Sequence, residues 1–190
     1  FIKENYKGTI LENYRDSYEI DIYLPDINLG FEFNGLFWHS DKYIENDKHL
    51  NKLNYFKEKN IRIIYIWEDD WDFKKEIIKS QVKNLINFAD NKIFARKCEI
   101  KEIYDNNLIR NFLNANHIQG FIHSMKKLGL FYNNELVSIM TFDKFDDKKK
   151  LKENEWNLSR FCNKINTMVL GSAPKLLAYF VNNNKCEKII

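Results

Sequence analysis

The stretch Tyr18-Glu19-Ile20-Asp21-Ile22-Tyr23-Leu24, stopped by Pro25-Asp26, alternates apolar with acidic residues and so reads as a half-buried β-strand. Ile20, Ile22 and Leu24 share the core face, and Glu19 and Asp21 the other. After a short turn a second strand, Asn28 to Asn34, pairs with it as a hairpin, alternating Phe31 and Phe33 against Glu32 and Asn34, and Gly35 closes it. The spacing of Leu50, Leu53 and Phe56 then predicts an amphipathic helix over 44–59, and the β-branched run Ile61 to Trp67 a buried strand. Asp72 is the expected cap of a further helix with the core stripe Ile78, Val82, Leu85, Ile86 and Ala89. Residues 1–90 therefore read as one unit: strand, strand, helix, strand, helix.

A second unit is expected over 95–190, after the polar stretch Asn87 to Lys92. Lys92 to Ile103 reads as extended, and Asp105 caps a helix carrying Leu108, Ile109, Phe112 and Leu113. Lys127 to Tyr132 and Glu135 to Phe142 form a hairpin across Asn133-Asn134. A charged loop, Lys144 to Asn154, leads to a strand from Glu155 to Phe161; Gly171-Ser172-Ala173-Pro174 opens a helix, and Lys185 to Ile190 is a last strand. The fold class is α/β (α+β) in two units.

Composition excludes several classes. With 44% hydrophobic and 15% aromatic residues the chain is not disordered. No apolar run approaches 18 residues, and Phe1 to Gly8 hold three charges and no hydrophobic signal core, so neither a spanning helix, a secretory leader nor a membrane partner is expected, and the expected location is cytoplasmic. Cys98, Cys162 and Cys186 stand apart without a CxxC pair, which argues for small core residues rather than a disulfide framework or a zinc ribbon. Residues 1–94 hold 14 Lys/Arg against 17 Asp/Glu, net −3, and residues 95–190 hold 16 against 10, net +6. The start at Phe1 and the end on Lys188-Ile189-Ile190, within a strand pattern, read as a piece of a longer protein.

Carboxylates gathered on one face, Glu19, Asp21 and Glu32, either lie on a solvated strand surface or repel one another until a cation offsets them. Hard oxygen ligands point to Mg²⁺ or Mn²⁺, which can clamp a phosphate oxygen and lower the pKa of a bound water, the requirements of phosphodiester hydrolysis. Gly35-Leu36-Phe37-Trp38-His39 follows directly, and His49 and Lys52 stand at i and i+3 on the next helix. A histidine there can move a proton, and a lysine can neutralise transition-state charge. Lys75, Lys79 and Lys83 recur every fourth residue, either a phosphate-tracking stripe or a solvated helix face.

The pattern Asp21-(x)10-Glu32-x-Asn34-Gly35-Leu36-Phe37-Trp38-His39, followed by Ile61-Arg62-Ile63-Ile64-Tyr65-Ile66-Trp67-Glu68, resembles the very-short-patch-repair branch of the PD-(D/E)XK nucleases and the related phage and intron-associated homing endonucleases. The resemblance covers about residues 1–90. It implies a metal-dependent endonuclease acting on double-stranded DNA, with Asp21 and Glu32 on Mg²⁺ or Mn²⁺. It further implies His39 as the active-site histidine, His49 near a second functional position on the helix, and Phe37 and Trp38 as wedges between base pairs. Asn34 stands where the motif lysine would be, leaving Lys52 to supply that charge. The family's structural zinc ligands are absent, and its first-helix glutamate falls at or before Phe1, with Glu4 the nearest acid. Abundant Asn, Lys and Ile suit an AT-rich coding genome such as a phage's.

The element order of residues 95–190 is similar to the first part of the GNAT acyltransferase fold, with Val169-Leu170-Gly171-Ser172-Ala173 where that fold cradles a pyrophosphate. Asn116-His117-Ile118-Gln119-Gly120 and Ser159-Arg160-Phe161 are further candidate contacts to DNA or a ligand, beside ordinary loop and core roles. Two alternatives to the nuclease follow: a DNA-binding module that has lost its chemistry, and an acyltransferase-like DNA-modification protein acting through the second unit.

Overall fold

The computed structural model describes residues 1–35, 44–146 and 149–190, except for the side chains of 44–49, 146, 149 and 150. The chain divides into two units, Phe1–Phe88 and Ala89–Ile190.

In the first unit α1 (Ile2–Asn5) precedes β1 (Leu11–Arg15), β2 (Glu19–Leu24), β3 (Leu29–Asn34), α2 (Ile44–Glu58), β4 (Arg62–Trp67) and α3 (Glu68–Leu85). The sheet order is β1-β2-β3-β4, with β3 and β4 parallel and the other pairs antiparallel. The short α1 and the largely exposed β1 were not expected, because an edge strand with little burial carries no apolar alternation.

Pairing of Gly30 with Ile63 and Glu32 with Tyr65 puts these residues on one face, and Phe31, Phe33, Ile64 and Ile66 on the other. Phe56 of α2 packs with Ile20 and Ile63 on the first face, and Trp71 of α3 meets Phe33 on the second, ring centroids 6.5 Å apart. The parallel β3–α2–β4 crossover thus covers the Glu32 side, so of the two sequence alternatives the solvated strand surface does not hold there, and Leu29, Gly30, Phe31 and Glu32 are buried in succession. Phe33, expected to share the core face with Phe31, is 49% exposed.

Two expectations for the helices are corrected. Leu50 and Leu53 face outward, at 54% and 36% exposure, while α2 turns Lys52, Tyr55 and Phe56 towards the sheet. Asp72 is not a cap: α3 begins at Glu68, straight from β4, with Glu68, Asp69 and Asp70 in its first turn, where acidic side chains oppose the helix dipole.

The second unit contains β5 (Asn91–Phe94), β6 (Glu99–Glu102), α4 (Asn106–Asn116), β7 (Lys126–Tyr132), β8 (Glu135–Asp143), β9 (Phe145–Asp146), β10 (Lys149–Lys150), β11 (Glu155–Asn163), β12 (Thr167–Leu170), α5 (Ser172–Asn183) and β13 (Lys188–Ile189). Its main sheet runs β13-β11-β8-β7-β6, antiparallel except for the parallel β11/β13 pair, and β12 pairs in parallel with β5. The run expected to be extended from Lys92 to Ile103 is broken by a 3-10 turn at Ala95–Lys97, which buries Ala95 and lets Cys98 into the core. The expected loop 144–154 contains the small β9/β10 ribbon.

Asp105 caps α4 as expected, its Oδ1 accepting from the amides of Asn107 and Leu108. Ile109 and Leu113 of α4 pack on Ile139, whereas Leu176 and Phe180 of α5 pack on Leu128, Met140 and Phe142 from the opposite face. Phe142 and Phe180 stack with centroids 3.5 Å apart. Chain reversals use asparagine at positive φ: Asn28, Asn60, Asn87, Asn133, Asn134 and Asn166, against Gly120 and Gly171; Asn13 takes the same conformation inside β1. The Asn133-Asn134 pair is the two-residue turn between β7 and β8, in the left-handed geometry that matches strand twist.

Candidate functional site

The recorded ladder between β2 and β3 runs from Leu24/Leu29 to Ile22/Phe31 and goes no further. Beyond it the Asp21 carboxylate takes over, its Oδ2 accepting the Phe33 amide at 2.7 Å. Where the strands part, the Asp21 charge lies close enough to Glu32 to act on its carboxyl. A cavity of about 270 Å³ that both residues border opens on the opposite, α3 side of the sheet, with almost wholly apolar walls that include Phe31, Phe33, Ile66 and Trp71.

Glu32 is 7% exposed. Its Oε2 lies 2.7 Å from Lys52 Nζ, and its Oε1 is buried without a hydrogen-bond partner among the described residues. Burial pushes the Glu32 carboxyl up from its ordinary value; Lys52 pulls the other way, and the neighbouring Asp21 charge adds to the rise. An unsatisfied carboxylate oxygen held beside a second carboxylate has the donor chemistry of a Mg²⁺ or Mn²⁺ ligand pair, and such ions keep several waters when the protein supplies few ligands. Among the described residues no group of three or more His, Cys, Asp or Glu is placed to hold a metal.

Of the residues singled out in the sequence, Asp21, Glu32 and Lys52 are brought together. Lys52 reaches Glu32 from α2. Asn34, two residues along the same strand face, has a buried Nδ2 without a partner among the described residues. Glu19 does not join; it is about half exposed and lies 3.8 Å from Arg15. Glu4 projects from α1 into solvent, although its neighbours Phe1 and Ile2 line the cavity. Phe37, Trp38 and His39 lie outside the described residues, and His49 is described by its backbone alone, on α2.

The lysines of α3 keep their four-residue spacing after an interruption of helical geometry at Lys74. Lys75 lies over the Trp71 ring at 5.0 Å, and Lys79 is engaged by Glu76 at 2.9 Å; Lys83 continues the row. Tyr65, opposite Glu32 on β4, was missed: burial and the Glu32 charge push its phenol up. Its signal was that of a polar tip within an otherwise aliphatic run.

In the second unit α5 starts at Gly171 without a side-chain cap, and two side chains of its first turn are engaged within the unit. Ser172 Oγ donates to Asn163 Oδ1 at 3.1 Å, and Lys175 Nζ donates to the carbonyls of Ala95 and Cys98 at 2.8 and 2.6 Å. No helix among the described residues is long and apolar enough to cross a membrane. Comparison with protein-family models, curated proteins and solved structures gives no match.

Proposed function

We propose that the first unit is a divalent-cation-dependent endonuclease core of the PD-(D/E)XK kind, hydrolysing phosphodiester bonds in double-stranded DNA. The observation that carries this reading is the approach of the Asp21 charge to the buried Glu32 carboxylate, whose Oε1 has no hydrogen-bond partner among the described residues. A bound Mg²⁺ or Mn²⁺ would supply the positive charge and water activation that phosphodiester hydrolysis needs. Asp21 and Glu32 would hold the ion. Lys52 would fix Glu32 by one oxygen, leaving the other for the ligand, and would add a positive charge beside the developing phosphorane. The role of proton carrier falls to His39 by the family resemblance, with Phe37 and Trp38 entering the duplex.

Plasmid cleavage tests the reading. Wild-type protein should cut only with Mg²⁺ or Mn²⁺, and Asp21→Ala or Glu32→Ala should lower the rate by at least about a hundredfold, roughly 2.7 kcal/mol of barrier. Undiminished cutting by Asp21→Ala would remove the metal-holding role. One feature favours a second reading, a DNA-binding module without chemistry: Asn34 occupies the motif-lysine position while Lys52 already neutralises Glu32. DNA affinity with no cleavage at any concentration of either cation would select that alternative.

A further inference from the structure

Two motifs of the second half have no part in the nuclease core: Asn116-His117-Ile118-Gln119-Gly120, where α4 ends, and Ser159-Arg160-Phe161 within β11. The fold brings them together. The register of β11 on β8 slips between Leu158 and Arg160, a bulge of the kind that re-aims a side chain. Arg160 Nε donates to the Gly120 carbonyl at 3.1 Å and Nη1 to the Ser159 carbonyl at 2.7 Å. An arginine carries five N–H donors. Among the described residues three are therefore left without a protein acceptor, and no carboxylate pairs with this half-buried guanidinium.

His117 stands beside it. Its Nδ1 accepts the Gln119 amide at 3.1 Å, so the neutral ring carries its hydrogen on Nε2 and has a donor to offer. Burial, with Arg160 adding to it, holds this imidazole below its ordinary value, so the donor is available without a charge. On the same loop Phe121 is covered by the Arg110 guanidinium, 4.2 Å from the ring centroid. A half-buried cation that lacks an acidic partner has lost hydration, and an anion from outside can replace it through charge-assisted hydrogen bonds. These residues belong to the half that holds 16 Lys/Arg against 10 Asp/Glu.

We propose that the connection from α4 to β7, with Arg110, His117 and Arg160, is a DNA-backbone contact: Arg160 offers its remaining N–H fork and His117 its Nε2–H to phosphate oxygens, and Arg110 adds charge at the rim. The choice of DNA among polyanions rests on the nuclease reading of the first unit; the phosphate chemistry of the loop does not.

The test is fluorescence anisotropy of a labelled DNA duplex with the full chain in EDTA, where binding is read without cleavage, over a series of salt concentrations. Arg160→Gln and Arg110→Gln should each weaken binding, the former by roughly tenfold, and each should lower the slope of log Kd against log salt by about one. Lys185→Gln removes the same charge elsewhere in the unit and should change affinity by less than about twofold. Wild-type affinity and slope in both arginine variants, or an equal loss in Lys185→Gln, would overturn the proposal. So would a loss confined to Arg160→Gln together with a lowered melting temperature, since Arg110→Gln only uncovers a surface ring. Binding of inorganic phosphate without duplex affinity would assign the loop to a small anion and overturn it equally. Loss of cutting in Asp21→Ala tests the nuclease reading alone, and weakened binding in the two arginine variants tests the loop alone, so the two readings can fail separately.

Discussion

A carboxylate 7% exposed, with an ammonium 2.7 Å away, has given up most of its water for one ion pair. Removing one member of such a pair strands the other, which is costlier than removing both. Lys52→Met should therefore destabilise the first unit by about 3 kcal/mol, and the double variant Lys52→Met/Glu32→Leu should recover much of that loss in urea melts. The sign with pH follows from the raised Glu32 titration. The folded state keeps a proton that the unfolded chain has already lost, so stability falls as pH rises from the ordinary glutamate range through the raised value. Without Lys52 only the Asp21 backbone is left to oppose burial, so the deficit of Lys52→Met should grow across that window and shrink in acid. Sequence pattern reached the three members of this cluster but not their arrangement. Leu50 and Leu53 mimic a core stripe, and only the position of β3 under α2 makes the inward lysine tolerable, because Glu32 waits there.

Elements set by local chemistry were legible. Asp105 offers a carboxylate to free amides at a helix start, and Asn133-Asn134 occupies the left-handed conformation that a two-residue turn requires. Elements set by partners distant in sequence were not: β12 exists because β5, more than seventy residues earlier, lies parallel to it, and no periodicity within either segment records that. The same dependence makes Gly30 informative. A methyl group there would come within 2.6 Å of Ile63 Cδ1 and 3.0 Å of Ile20 Cγ2, across the strands on either side. Gly30→Ala should destabilise by about 1 kcal/mol after the gain from a stiffer denatured chain is subtracted, and Gly30→Val by more; chemical denaturation with an unchanged m-value would confirm that the folded sheet is the part affected.

At the scale of the molecule, the division at Phe88/Ala89 falls beside Asn87, whose φ is positive, and Phe88 is 43% exposed. Brief chymotrypsin treatment should cut after Phe88 before it reaches the buried aromatics, giving fragments of about 88 and 102 residues; even digestion along the chain would argue against two compact units. The wider organisation was visible in the sequence as a change of charge sign between halves, although the place of β5 beside β12 in the second unit was not. The left-handed asparagines also bear on how the chain behaves before it folds. With six glycines in 190 residues, it reverses direction mainly on a side chain that restricts random backbone wandering. Each such bend starts from a narrower set of coil conformations than glycine would allow, easing closure by a few tenths of a kcal/mol to about 1 kcal/mol, and the strain of the left-handed geometry is repaid in reduced disorder of the denatured ensemble.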